Sequence, residues 1–227
     1  MEDEIQVRFE LEGWTLFFAR LQRSEGFSSE MAILRGEMVA RTRERLELQT
    51  LASDPTVAAL RRLFRAAGCD PTRYRPSSEA LIRRILKGAE LPAINSLVDL
   101  NNCLSLELAV PCCVMAEEAV GSPYTWRSGR SGESYESLKG PFNLEGKPLL
   151  VDVHGPCDAP ITGSRRAKIQ DDTQQATLVA YLPRGVVSAA VAHQRLEKLL
   201  AAAPVARILG SCYRPTETEQ SQEHQDR

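Results

Sequence analysis

The sequence predicts a single α+β domain in which a mixed sheet is flanked by helices. The chain has 227 residues, 43% apolar and 26% charged, and this length and composition are typical of one globular domain with a packed core. Helical patterns dominate the segment 28–108, whereas short apolar runs bounded by glycine and proline follow it. Helices grouped before strands are typical of an α+β fold rather than of alternating α/β units.

Composition argues against a membrane protein and against a disulfide scaffold. No stretch reaches the ~18–20 consecutive apolar residues of a spanning helix, and the first residues are acidic where a secretory signal would be basic and then apolar. The six cysteines are sparse, and no two have C-x-x-C spacing. We therefore expect a cytoplasmic protein with reduced thiols, no membrane partner, no bound metal and no cofactor.

The first two helices have clear sequence signals. An amphipathic segment opens at Ser28 or Ser29 and continues to about residue 51 as one or two helices. The next helix has Asp54 as a good N-cap, Pro55 at the first helical position and Gly68 beyond its end.

Two more helices complete the helical part. One is predicted from a cap at Ser77 or Ser78 to Lys87, and Gly88 closes it. The segment 94–108 reads as a mostly buried helix that carries amides and a carboxylate. Because a buried polar group without a partner costs ~1–3 kcal/mol, we expect Asp99 in this helix to pair with Arg83 or Arg84.

Short apolar runs indicate strands in the second half of the chain. These runs are 149–153, 177–182 and 205–209, with 5–9 and 15–18 as weaker candidates. A final helix is predicted over 188–202 and is capped by Ser188.

We divide the chain into three parts. Residues 1–50 form N-terminal strands and a helix of the same domain, and residues 51–211 form its core. Residues 212–227 are a predicted disordered tail, because the segment from Thr216 onward is rich in Glu, Gln and Ser and has no apolar anchor.

Charge is distributed unevenly along the chain, although its formal net charge is only −2. Residues 61–87 carry eight Lys or Arg against two acidic residues, a balance of +6, whereas residues 1–60 have a balance of −4. A compact cationic surface favours a polyanion such as RNA. The alternative is that these arginines form only the solvated faces of two helices.

Several motifs resemble the B3/B4 domain of the phenylalanyl-tRNA synthetase β subunit. Residues 76–84 match its P-S-x-x-x-L-x-R-R helix, and residues 94–102 match its I-N-x-x-V-D-x-x-N helix. The chain is similar also to stand-alone B3/B4-domain proteins through D-P-x-x-Y-R-P-S at 70–77, R-x-G-x-x-G-E at 127–133 and D-x-x-G-P at 152–156.

The resemblance implies a β-sandwich-like pocket domain surrounded by helices, related to the synthetase module that hydrolyses mischarged tyrosyl-tRNA. In that family the pocket includes the Asn of V-D-x-x-N, here Asn102, and a His of P-x-H-x-F-D. Here Pro111 begins the second motif, but Cys113 stands at the His position and Ala116 at the Asp position. The family's editing set is therefore incomplete in this chain.

Candidate site residues follow from the resemblance and from the charge pattern. The expected ligand-binding residues are Asn101, Asn102, Arg83, Gly155, Gly163 and Ser164. The expected RNA-binding residues are Arg61, Arg62, Arg65, Arg73, Arg75, Arg84 and Lys87. We interpret Cys113 as a buried structural thiol in preference to a nucleophile with His154 as its base.

Two functions follow, and the sequence leaves both open. In the first, the chain binds tRNA or aminoacyl-tRNA and, as an enzyme, clears a mischarged aminoacyl ester in trans. In the second, it is a non-catalytic module that binds a small amino-acid-like ligand or a protein partner.

Overall fold

Two β-sheets face each other at the centre of the molecule, and helices cover one of them and close its ends. The computed structural model describes residues 5–215. The helices are α1 (Ser28–Arg45), α2 (Pro55–Ala66), α3 (Ser77–Leu86), α4 (Ser96–Leu108) and α5 (Ala189–Ala202). The strands are β1 (Val7–Phe9), β2 (Trp14–Arg23), β3 (Cys112–Ala116), β4 (Tyr124–Ser128), β5 (Ser134–Ser137), β6 (Gly140–Asn143), β7 (Pro148–Asp152), β8 (Gly155–Ala159), β9 (Thr162–Gly163), β10 (Gln175–Pro183) and β11 (Ala206–Pro215).

The larger sheet is mixed and the smaller one is antiparallel. The five-stranded sheet has the order β1-β4-β7-β8-β9, in which only the β1–β4 pair is parallel. The four-stranded sheet has the order β11-β2-β10-β3, and β5 pairs with β6 in a separate hairpin. The predicted α+β class with a mixed sheet is confirmed.

Aromatic side chains fill the space between the sheets. Trp126 on β4 stacks on Tyr181 of β10 with ring centroids 4.9 Å apart, and both side chains are fully buried. Tyr124 and Phe18 meet across the same interface at 5.4 Å. Because side chains alternate along a strand, these contacts identify the face of β10 and β2 that is directed at the five-stranded sheet.

The opposite face of the four-stranded sheet carries helices. Helix α4 packs against β3 and β10, and α5 packs against β2 and β11. Helix α1 lies against α4, and α2 closes one end of the sandwich through Phe64, whose ring is 6.3 Å from Trp14.

The helices follow their sequence signals, with one exception at a cap. The Asp54 carboxylate accepts hydrogen bonds from the amides of Thr56 and Val57, and Ser188 caps α5. The predicted serine cap of α3 is wrong: Pro76 occupies the N-cap position without a side-chain bond. Instead, the amide of Ser77 donates to the carbonyl of Pro160, which ties this helix end to the β8–β9 turn.

The strands extend further than the apolar runs predicted. Residues 212–215 of the predicted tail belong to β11, whereas 216–227 and 1–4 lie outside the described residues. Strands β3, β4, β5, β6, β8 and β9 were not predicted from the sequence. Most of them are short and have no regular apolar alternation.

Candidate functional site

A basic groove of about 400 Å³ runs between α3, the β5–β6 hairpin and the β8–β9 turn. Its lining residues are Arg75, Ser77, Ala80, Arg83, Arg84, Lys87, Lys139 and Ile161. We call this feature the basic groove. Five of its eight lining residues are cations, and none is acidic.

The periodicity of α3 explains why its cations share one wall. Leu81, Ile82 and Ile85 are buried against the core. The groove residues 80, 83, 84 and 87 follow the i, i+3, i+4, i+7 spacing of a single helix face. The helix therefore presents a continuous basic stripe while its other face anchors it.

A buried carboxylate lies behind this stripe. The Glu79 side chain is 1% exposed and pairs with the guanidinium groups of Arg83 at 2.8 Å, Arg61 at 3.1 Å and Arg75 at 4.0 Å. One negative charge thus faces three positive charges. Glu79 therefore neutralises only part of the positive charge around it. The remaining positive charge includes Arg75 and Arg83, which line the groove.

The predicted RNA-binding residues are divided by the structure. Arg75, Arg84 and Lys87 line the basic groove, whereas Arg61 is only 17% exposed and is engaged with Glu79. Arg73 lies over the ring of Tyr74 at 5.2 Å. The remaining two, Arg62 and Arg65, are exposed on α2 outside the groove lining.

Lys139 belongs to the groove but was not predicted from the sequence. It is exposed in the β5–β6 hairpin, far along the chain from the basic segment. The basic segment 61–87 could be found from the sequence alone. The sequence does not show that strand pairing brings Lys139 to the same groove.

Asp99 pairs with an arginine, as predicted, but the predicted partner, Arg83 or Arg84, is wrong. Its carboxylate binds Arg35 of α1 at 2.5 Å and accepts a hydrogen bond from the amide of Ile94 at 2.9 Å. Neither arginine of α3 is involved. The requirement for a cation was correct, but α1 supplies it because α1 packs along α4.

The two asparagines of α4 have different environments. Asn101 is buried, and its Nδ2 donates to the carbonyl of Cys112 at 3.3 Å, which ties α4 to β3. Asn102 is half-buried, and its side-chain amide makes no hydrogen bond to residues 5–215. It is not among the residues that line the basic groove.

The predicted loop residues fall at opposite ends of β8. Gly155 is the first residue of β8, directly after the β7–β8 turn, and its carbonyl accepts from Arg166 at 3.3 Å. Gly163 pairs with Asp158 at the other end and accepts from the amide of Leu138, beside the groove. Ser164 follows and its hydroxyl accepts from the amide of Arg166. The structure therefore does not bring Gly155 together with Gly163 and Ser164.

A buried acid beside Gly163 was also missed. Asp158 is 1% exposed; burial raises its pKa from 3.8 to about 7, against the effect of hydrogen bonds from Tyr181 and Cys113. The hydroxyl of Tyr181 donates to its Oδ2 at 2.6 Å. Such an acid exchanges its proton near neutral pH, but its side chain is part of the core between the sheets.

Five cysteines have the raised pKa of buried structural thiols: Cys69, Cys103, Cys112, Cys113 and Cys157. Burial raises the pKa of Cys69 to about 11 and that of Cys103 to about 12. Burial also raises the pKa of Cys113 well above its usual value, and the nearby charge of Asp158 adds to this effect. A protonated thiol is a poor nucleophile. Within the described residues, no group of three or more His, Cys, Asp or Glu is arranged to hold a metal ion.

The R-x-G-x-x-G-E motif holds the β4–β5 connection together. Arg127 donates two hydrogen bonds to the Glu133 carboxylate, at 2.7 and 2.6 Å, and this lowers the pKa of Glu133. A Cβ atom on Gly129 would lie 1.8 Å from the carbonyl oxygen of Leu144, so only glycine fits there. These contacts give the motif a structural role.

Comparisons with known proteins are consistent with the sequence motifs. The sequence profile described as "B3/4 domain" matches residues 59–200, which is more than half of the chain. No curated protein gives a significant match. Among solved structures, the chain aligns with an N-terminal fragment of the phenylalanyl-tRNA synthetase β subunit from Pyrococcus horikoshii, at 13% identity and a TM-score of 0.45. The match covers 95% of this chain and 57% of that fragment.

No helix between residues 5 and 215 is both long enough and apolar enough to cross a bilayer.

Proposed function

The chain belongs to the B3/4 domain family, and on this premise we propose that it is a cytoplasmic tRNA-binding protein whose basic groove holds the phosphate backbone. One observation carries the proposal: Arg75, Arg83, Arg84, Lys87 and Lys139 line a single groove that has no acidic lining residue. Cations that replace condensed counterions are the main source of affinity for a nucleic acid.

The charge of the groove is local and is available to a ligand. The chain as a whole is slightly acidic, with a net charge of −2, so the groove is a local attraction for a polyanion rather than part of a generally basic surface. Arg84, Lys87 and Lys139 are exposed, and no described acidic residue forms a salt bridge with any of them. Their charge is therefore available to phosphate.

Replacing Arg84, Lys87 and Lys139 together by Glu is expected to weaken tRNA binding by about tenfold or more. The slope of log Kobs against log salt should also become shallower by about 0.7–0.9 for each phosphate that the variant no longer neutralises. Fluorescence anisotropy with labelled tRNA over a salt series measures both quantities.

The matched control replaces three exposed cations outside the groove, Arg8, Arg41 and Lys198, by Glu. The change in net charge is identical in the two triple variants, so a difference between them reports position. Equal affinity of the groove variant and the wild-type chain would exclude RNA as the ligand of the groove.

We propose ester hydrolysis as a second candidate activity, favoured by the environment of Asn102. Its half-buried amide makes no hydrogen bond to the described residues, so it is available to an amino-acid ligand or a ribose. Cys113 stands where the related synthetase domain has its His, and Ala116 stands where it has its Asp, so hydrolysis by the family's own route lacks two groups. A water held by backbone amides, rather than a protein side chain, would have to supply the attack.

A panel of mischarged tRNAs tests this second candidate. We expect the wild-type chain to deacylate at least one of them, and we expect Asn102→Ala to lower that rate by about tenfold or more with a smaller effect on tRNA retention. Absence of deacylation for every member of the panel would leave a binding protein without hydrolytic activity. An undiminished rate in folded Asn102→Ala would eliminate Asn102 as the site.

A further inference from the structure

A second cavity, of about 590 Å³, opens at the end of the sandwich where β1 and β4 meet β2 and β10. Its volume lies within the ~300–1,000 Å³ of small-molecule sites. One side is polar and includes Arg20, Glu117 and Thr177. Val120 and the largely buried Tyr124 are among its apolar lining residues. We call this feature the end cavity.

The polar side of the end cavity is a fixed pair of opposite charges. Nε of Arg20 lies 2.9 Å from Oε1 of Glu117. The hydroxyl of Thr177 donates to Oε2 of the same carboxylate. Both charged side chains are partly accessible from the cavity, at 36% for Arg20 and 26% for Glu117.

The guanidinium still has donors to offer. Its Nη1 and Nη2 make no hydrogen bond to the part of the chain that the structure describes, whereas Nε lies within ion-pair distance of the Glu117 carboxylate. A carboxylate held beside one edge of a guanidinium orients the other edge, which is suited to a second carboxylate. Arg20 is therefore positioned for an anionic group inside the cavity.

The balance of charge narrows the class of ligand. A simple anion would be attracted by Arg20 but repelled by Glu117. A simple cation would be attracted by Glu117 but repelled by Arg20. A zwitterion whose carboxylate faces Arg20 and whose ammonium faces Glu117 satisfies both groups. The apolar surface of Val120 and Tyr124 suits an aliphatic or aromatic side chain on the same molecule.

We propose that the end cavity binds a free α-amino acid with an apolar side chain. This site is separate from the basic groove. The amide of Gly121 on its rim donates to Asp152, next to the turn at which β8 begins, whereas Ile161 of the groove follows the end of β8. A strand of this length spans about 13 Å, so the proposal does not depend on tRNA binding.

Isothermal titration calorimetry of the full chain tests the site with alanine, valine, leucine, isoleucine, methionine and phenylalanine at millimolar concentration. We expect at least one to bind. The derivatives of that amino acid that lack one charge, its N-acetyl form and its carboxamide, should each bind about tenfold or more weakly, because each loses one charge-assisted contact.

Variants of the protein locate the binding. Arg20→Gln and Glu117→Gln should each weaken it by about tenfold or more, whereas Arg41→Gln, at an exposed arginine paired with Glu37 on α1, should leave it unchanged. Val120→Trp fills the cavity and leaves the ion pair in place, and it should also weaken binding. This variant tests the site if a charge variant does not fold. No binding of any of the six amino acids, full binding of the N-acetyl form, or undiminished binding by Val120→Trp would each overturn the proposal.

Discussion

Replacing Glu79 by Gln lowers the free energy of unfolding by about 3 kcal/mol, the cost expected when one partner of a buried ion pair is removed. The Glu79 side chain is 1% exposed and is shared by three guanidinium groups. Of these, Arg61 is the least exposed and has the poorest access to water after the substitution. Urea unfolding at neutral pH measures the decrease.

Glu90→Gln is the matched control for this substitution. Glu90 also pairs with an arginine, Arg43, at 3.0 Å, but its side chain is 70% exposed. A surface ion pair contributes ~1 kcal/mol or less. In an Arg61→Met background, Glu79→Gln should cost less, because the most buried guanidinium is no longer there to lose its partner.

Equal destabilisation in Glu79→Gln and Glu90→Gln would mean that the carboxylate does not organise Arg61, Arg75 and Arg83. Binding of tRNA gives an independent measurement. Removal of the Glu79 charge makes the basic groove more positive, so the folded variant should retain tRNA at least as well as the wild-type chain.

Only the helical part of the basic groove could be predicted from the sequence. Helix α3 and its exposed stripe follow from local spacing, since the position of each side chain around a helix depends only on its place in the chain. Arg84 and Lys87 lie in the segment predicted as a basic helix, and both are exposed. Lys139 and Ile161 reach the groove through strand pairing, which short-range patterns do not encode.

The burial of a charged residue could be predicted from the local sequence, but its ion-pair partner could not. The burial of Asp99 could be predicted, and so could its need for a cation. The identity of the cation depends on which helix packs against α4, and Arg35 of α1 takes this place. Similarly, Arg61 looked like a phosphate ligand because no local pattern indicates that Glu79 is buried beside it.

Asp158 lies on β8, one of the strands that were not predicted from the sequence. Strand β8 has the sequence Gly-Pro-Cys-Asp-Ala, which contains two turn-forming residues and no apolar alternation. Asp158 on this strand was therefore not considered as a core residue. Its partner Tyr181 was correctly placed on a strand, but the contact between them requires the two sheets to face each other.

Asp158 makes the protein less stable as the pH rises from about 4 to about 7. Its pKa in the folded chain is about 7, above the ordinary value of 3.8, because burial disfavours its charged form. Within this range the folded chain retains a proton that the unfolded chain has released, so the free energy of unfolding falls with pH and levels off above pH 7. The full effect is at most about 4 kcal/mol.

Substituting Asp158 by Asn removes this dependence, because the amide has no charge to desolvate and still offers Tyr181 an oxygen. The variant should be more stable than the wild-type chain at pH 8 and should lose that advantage near pH 4, in urea unfolding followed across the range. Asp152→Asn is the control: that carboxylate is equally buried but pairs with Arg166 at 2.9 Å, so its removal should destabilise the chain at pH 8. If Asp158→Asn and wild type keep a constant difference from pH 4 to pH 8, the proton of Asp158 does not contribute to stability, and its environment is more polar than its burial indicates.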